Sequence, residues 1–198
     1  MAKSKADWRQ DAIDCVRSLR NSGAILHPTD TVWGLAAHSC DEEAVKKIFD
    51  IKQRELHETL LMLVDSEQMM EQLLPQLPEA AWELIQISDR PITIAGRLND
   101  KCRFNFASGM VRDDGSIAVR LVNDPFLSFL IQGINAPLAS TSANLSNQPT
   151  PANYASIDTA ITSQVDHASH YRRNSLNSST PSMLVHFDEA GRMKILRS

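Results

Sequence analysis

Two hydroxyl-rich segments, His27-Pro28-Thr29-Asp30-Thr31-Val32-Trp33-Gly34-Leu35 and Ser140-Thr141-Ser142-Ala143-Asn144-Leu145-Ser146, sit among apolar residues far apart in the chain, so folding can bring both to one cleft. Between them stand Lys52 and Arg54, separated by a single residue. Hydroxyls, an amide and paired cations are groups that hold a polyphosphate and an amino-acid carboxylate. Ser140 and Ser142 share one face of a strand, and Asn144 continues that spacing if the chain stays extended. The competing reading is a polar strand end with local side-chain-to-backbone turns. Lys52 and Arg54 pose a similar contest, because cations at a helix end are commonly solvated and simply suit the dipole. Arg120 differs, since it ends the apolar run Ile117-Ala118-Val119. A guanidinium there needs a carboxylate or a phosphate, from the chain itself or from a ligand.

Common catalytic signatures are absent. The sequence has no GxxxxGK[ST] loop, GxGxxG turn, GxSxG elbow or HExxH pair. His167 and His170 have the spacing of a helical metal pair, but no Cys, His or carboxylate cluster adjoins them in sequence. They read as surface histidines, and no metal site is expected. Cys15, Cys40 and Cys102 are odd in number and scattered, which argues against a disulfide framework and a CxxC site.

The elements that must position these groups are legible in part. Trp8, Ala12, Cys15, Val16 and Leu19 recur at helical spacing, and Asn21-Ser22-Gly23 supplies a stop. Ala24-Ile25-Leu26 reads as a short strand before Pro28. Asp41 caps a second helix through Ile51, with Lys52 and Arg54 at its end. A strand over Thr59–Val64 precedes helices around Ser66–Leu74 and Glu79–Ile87. Further strands are expected over Pro91–Ala95, Ser116–Leu121 and Pro137–Thr141, with a helix opened by Asp124-Pro125 and running to about Gln132. Ser182–Phe187 and Met193–Arg197 flank a hairpin turn. The polar stretches Asn99–Gly115 and Arg172–Thr180 read as loops, the second with the composition of a lid. Strands and helices mixed in this way imply an α/β fold with some antiparallel pairing.

The bulk composition agrees. A length of 198 residues, 42% apolar and 22% charged, fits one soluble globular domain over 1–198. No apolar run is long enough for a transmembrane helix, and no apolar stretch follows Lys5 as in a signal peptide, so the chain reads as cytoplasmic. A net charge of −4 lacks the basic surplus of an autonomous nucleic-acid binder, while leaving room for local cations.

Taken in order, Pro28-Thr29-Asp30-Thr31-Val32-Trp33-Gly34-Leu35, Lys52-x-Arg54, Ser116-Ile117-Ala118-Val119-Arg120, the Ser140–Ser146 run, Pro181-Ser182 and Ile195-Leu196-Arg197 resemble the YrdC/Sua5 family of threonylcarbamoyl-AMP synthases over nearly the whole chain. The resemblance implies a YrdC-like open twisted mixed sheet, parallel and antiparallel, flanked by helices and forming a concave cleft. It implies synthesis of threonylcarbamoyl-AMP and pyrophosphate from L-threonine, bicarbonate and ATP carried with Mg²⁺, for the t6A modification of tRNA. The product would pass to a tRNA threonylcarbamoyltransferase complex. By motif position Lys52 and Arg54 are the expected catalytic cations. Lys52, Arg54, Ser116, Ser142, Asn144 and Arg197 would hold the nucleotide. Thr31, Arg120, Ser140 and Ser182 would hold threonine, with Arg120 on its carboxylate.

The chain departs from the family at Glu55 and Glu58, where a proline and a lysine are usual, at Ser88-Asp89-Arg90 in place of Trp-Pro-Gly, and at His27 in place of a tyrosine. Two other readings remain open at this point. One is a tRNA- or double-stranded-RNA-binding protein without synthase activity, using a basic cleft of Lys52, Arg54, Arg120, Arg172 and Arg173. The other is a relative that activates carbamoyl groups for a different acceptor.

Overall fold

A computed structural model describes residues 8–53, 59–146, 148–175, 181–188 and 191–197. The first helix, α1 (Trp8–Arg20), buries Ala12, Cys15, Val16 and Leu19, the periodic set in the sequence. Asn21-Ser22-Gly23 follows it, with Ser22 in the left-handed region at φ 56°. Strand β1 (Ile25–His27) pairs antiparallel with β2 (Gly34–His38). In α2 (Glu42–Lys52), Asp41 accepts from the Ala44 N–H at 3.0 Å, a side-chain cap for an otherwise orphan donor. The helix ends at Gln53, whose left-handed φ of 52° stops the α-helical ladder.

Then come β3 (Leu61–Val64), α3 (Glu67–Leu73), α4 (Glu79–Ile87), β4 (Ile92–Arg97) and β5 (Ser116–Leu121). Helix α5 (Pro125–Ile134) starts where Asp124 caps Phe126 and Leu127 ahead of proline, and runs two residues past its expected end. Strand β6 (Leu138–Ser142), a short α6 (Thr159–Thr162), β7 (His167–Ala168), β8 (Met183–Phe187) and β9 (Met193–Arg197) complete the order.

Among the described residues the nine strands form one sheet in the order β7-β1-β2-β6-β3-β5-β4-β8-β9. The pairs β1/β7, β3/β5 and β4/β8 are parallel and the other five are antiparallel, so the sheet is mixed as expected. Register assigns alternate residues to opposite faces. One face carries Leu26, Leu35, Ala139, Met62, Val119 and Ile94 into the main core, under Ile48 of α2 and Met70 of α3. The other face is covered at one end only, where Ile25, Ala36, Leu138 and Leu63 meet α1 and α5. Among the described residues no helix roofs the rest of that face, and there the concave cleft opens.

Candidate active site

The open face presents residues from neighbouring strands at alternate positions. Ser140 and Ser142 come from β6, Arg120 from β5, Thr93 from β4, Ser182 from just before β8, and Arg197 from β9. They line a cleft of about 360 Å³ that also takes in Thr31, Lys52 and Asn144.

The loop between β1 and β2 is held by one hydroxyl. Thr29 Oγ1 donates to the Val32 carbonyl at 2.7 Å and accepts from the N–H groups of Thr31 and Val32 at 3.0 and 3.1 Å. This turn offers Thr31 to Arg120, whose Nη1 donates to Thr31 Oγ1 at 3.1 Å. The Arg120 Nη2 meets the carboxylate of Asp30. Only 4% of the Arg120 side chain is exposed, and its Nε–H has no hydrogen-bond partner. Burial lowers the basicity of Arg120 to about 10, partly opposed by the charge of Asp124. It stays fully cationic at neutral pH. A buried guanidinium with an idle donor beside an open cleft is suited to a carboxylate ligand.

Lys52 does not reach into solvent. It is 3% exposed, and its Nζ donates to the carbonyls of Ser142 at 2.7 Å and Asn144 at 2.6 Å. The chain after β6 is thereby tied to the end of α2, and Ser146 Oγ donates back to the Lys52 carbonyl at 3.1 Å. Asn144 Nδ2 donates to the carbonyls of Leu145 and Gln148, while its Oδ1 is buried without a partner. On the far side, the hydroxyls of Thr93 and Ser182 lie 2.7 Å apart, both buried, and Arg197 Nη2 donates to the Ser182 carbonyl at 3.2 Å. The cleft thus has cations at both ends and hydroxyls across its floor.

A family model described as telomere recombination, named for Sua5, YciO and YrdC, matches residues 17–198. The chain belongs to the Sua5/YciO/YrdC family. A threonylcarbamoyl-AMP synthase of Saccharophagus degradans is 34% identical over 141 residues, 70% of this chain and 72% of that protein. Among solved structures, P. abyssi Sua5 complexed with L-threonine is similar with a TM-score of 0.77 at 24% identity, over 96% of this chain and 54% of that one. E. coli YciO gives a TM-score of 0.77 at 18% identity, over 97% and 90%. These structures establish a Sua5/YciO-like α/β fold.

Within this family fold, the residues expected from motif position separate into three groups. Thr31, Lys52, Arg120, Ser140, Ser142, Asn144, Ser182 and Arg197 line the same cleft. Ser116 does not: it shares the face of Ala118 and Arg120 but sits at the outer end of β5, opposite Arg97. Arg54 lies outside the described residues, as do Glu55 and Glu58.

Two basic residues of the RNA-binding reading are engaged elsewhere. Arg172 donates to Asp124 at 2.6 Å, and Arg173 donates to the carbonyls of Ala168 and Ser169 and stacks over Tyr154 at 4.1 Å. Neither lines the cleft. The described part of the expected lid, 172–175, is a turn fixed by these contacts, and 176–180 lie outside the described residues. His167 is also not a free surface residue. Its Nε2 lies 3.1 Å from Asp11, near the buried Cys15 of α1.

Sequence reasoning missed Thr93, Asp30 and Arg112, the last a cleft residue whose Nε donates to Thr59 Oγ1 at 3.3 Å. The signal for Thr93 was one hydroxyl between Ile92 and Ile94; an isolated threonine in an apolar strand marks nothing until register turns it toward the cleft.

Proposed function

We propose that this protein is a threonylcarbamoyl-AMP synthase, a nucleotidyltransferase that converts L-threonine, bicarbonate and ATP into threonylcarbamoyl-AMP and pyrophosphate. The observation that carries the reading is the cleft itself: buried Arg120, with its Nε–H idle, among hydroxyls at one place, and Lys52 with Ser142 and Asn144 at another. The name borne by the relatives and the shared family support it.

The chemistry needs positioning more than a protein nucleophile. The amine of threonine bonds to the carbon of bicarbonate with loss of water, giving a carbamate. A carbamate oxygen then attacks the α-phosphorus of ATP, and the bond to pyrophosphate breaks. Three anionic groups must be brought together, so fixed cations and hydrogen-bond donors are the main catalytic resource. In this reading Arg120 pairs with the threonine carboxylate, and Thr31, Ser140 and Ser182 hold its remaining polar groups. Lys52 and Arg54 stabilise charge at the α-phosphate, while Ser142, Asn144 and Arg197 hold the nucleotide. Ser116 belongs to a nucleotide contact only if ATP extends past the described cleft.

ATP enters with Mg²⁺ as part of the substrate. Phosphate oxygens and water supply oxygen ligands of the kind that ion takes. The product passes to a tRNA threonylcarbamoyltransferase complex in the cytoplasm. Among the described residues no helix is long and apolar enough to cross a membrane. Residues 1–198 act as one YrdC-like domain.

The test is pyrophosphate release from ATP and bicarbonate with and without L-threonine. Threonine-dependent release is expected. ATP binding without such release would replace threonine by another carbamoyl acceptor, and absence of ATP binding would remove the synthase reading.

A further inference from the structure

His27 ends β1 on the open face of the sheet and is completely buried. Its Nδ1 lies 3.2 Å from the Pro28 carbonyl oxygen and its Nε2 lies 3.3 Å from Ser140 Oγ. β2 runs between the strands that carry these two residues, with Gly34 paired to His27 and Ala36 to Ser140. A Cβ at Gly34 would stand 2.6 Å from His27 Nε2 and 3.1 Å from Ser140 Oγ. Only a glycine leaves room for the imidazole to reach across the middle strand.

We infer that His27 is a positioning residue that turns the Ser140 hydroxyl into an acceptor for the amino nitrogen of the substrate, and so fixes which way round the amino acid lies. A carbonyl oxygen can only accept, so the ring nitrogen facing Pro28 carries the hydrogen. Complete burial, with the nearby Arg120 charge adding to it, lowers the ring's basicity to about 4 against the pull of the Pro28 bond and Asp124. The ring is therefore neutral at pH 7, and Nε2 presents a lone pair. Ser140 has one hydroxyl hydrogen and donates it to Nε2. What Ser140 then offers the cleft is oxygen lone pairs alone.

An acceptor repels a carboxylate and attracts an N–H. Arg120, close enough to affect the imidazole, takes the carboxylate of the same ligand. The α-amino group, and afterwards the carbamate N–H, is directed to Ser140, which leaves the nitrogen lone pair free to meet bicarbonate. This inference rests on the synthase reading for the identity of the amino acid. The hydrogen-bond direction rests on the contacts of the ring with Pro28 and Ser140 and on the burial that keeps it neutral, independently of that reading.

Two measurements test it on the full chain. Nitrogen-15 spectra of the histidine rings at neutral pH are expected to show His27, assigned by its loss in H27Q, with a protonated Nδ1 and a bare Nε2. A protonated Nε2 overturns the inference. In the pyrophosphate assay, H27F keeps a flat ring but cannot accept from Ser140, so KM for L-threonine rises about tenfold while KM for ATP stays within about twofold. H27Q, whose amide oxygen can stand near the Nε2 position, restores KM to within about threefold of wild type. Adding S140A to H27F costs little more, because the two residues act as a unit. An unchanged threonine KM in H27F, no rescue by H27Q, or equal rises in both KM values overturns the inference. A wild-type protein that ignores L-threonine overturns the synthase reading instead, and the ring spectra still judge the His27–Ser140 bond.

Discussion

Lys52 and His27 are both buried and meet burial by different bonds. Lys52 Nζ donates to two backbone carbonyls, whereas burial drives the His27 ring toward its neutral form. Replacing Lys52 by Met keeps the stem but leaves the carbonyls of Ser142 and Asn144 short of a donor. Pyrophosphate release is expected to fall at least about 100-fold, with a stability loss of roughly 1–3 kcal/mol. Assay and urea unfolding separate the two effects, and turnover within tenfold of wild type would remove Lys52 from the catalytic role.

His27 makes a pH prediction of definite sign. Its basicity falls from 6.5 to about 4 on folding, so between those values the unfolded chain binds a proton that the native chain refuses. Stability is therefore unaffected by this group above about pH 6.5 and declines as pH drops toward 4, by on the order of 3 kcal/mol in total. Urea midpoints for wild type and H27Q at about pH 7 and about pH 4.5 check this, since the variant should lose much of the slope. Parallel declines in both proteins would contradict it.

Among the elements, those with strong local signals were legible and those made by their neighbours were not. The apolar period of α1, the Asp41 cap of α2 and the Asp124-Pro125 start of α5 each locate a helix from a few residues. Strand β2, Gly34-Leu35-Ala36-Ala37-His38, has no β-branched residue and is extended because β1 and β6 pair with it on both sides. The 99–115 stretch carries no regular element, as expected, yet it is packed: Ala107 and Met110 are buried, and Ser108 N–H donates to Glu42.

β7 depends on one acid. Asp11 of α1 accepts from His167 Nε2, Ser169 Oγ and the N–H groups of His170 and Tyr171. Burial works against its ionisation, but these hydrogen bonds outweigh it and hold the carboxyl below its ordinary range. Asp11→Ala leaves those donors unpaired and detaches the sheet edge from α1. A loss of on the order of 2–4 kcal/mol is expected, with faster amide exchange over 167–171 than in the core strands. A midpoint within about 0.5 kcal/mol of wild type would show that the edge is held by packing alone.

Across the whole molecule, the site spans the sheet. Arg120, Ser140 and Ser182 lie on or beside β5, β6 and β8, with β3 and β4 between them in the strand order, and Thr31 belongs to a loop from the far side of β2. Their order in the chain made the family recognisable, but their shared face follows from register, which no local pattern encodes. Ser116 illustrates the difference: it is expected from its place in the motif order, and the strand carries it beyond the described cleft. A ligand bridging Arg120, Ser140 and Ser182 ties together strands from early, middle and late sequence, so its binding energy should resist global unfolding and not merely quieten a loop. L-Threonine at about 100 times its Kd is expected to stabilise the protein by about 2.7 kcal/mol, a rise of roughly 5–10 °C in Tm for a chain of this size. Arg120→Lys, which keeps the charge but loses the planar fork, should bind the carboxylate at least about tenfold more weakly and lose roughly half of that rise at the same concentration. Equal shifts in both proteins would mean that the amino acid is held without Arg120, and the orientation assigned to the cleft would have to be reversed.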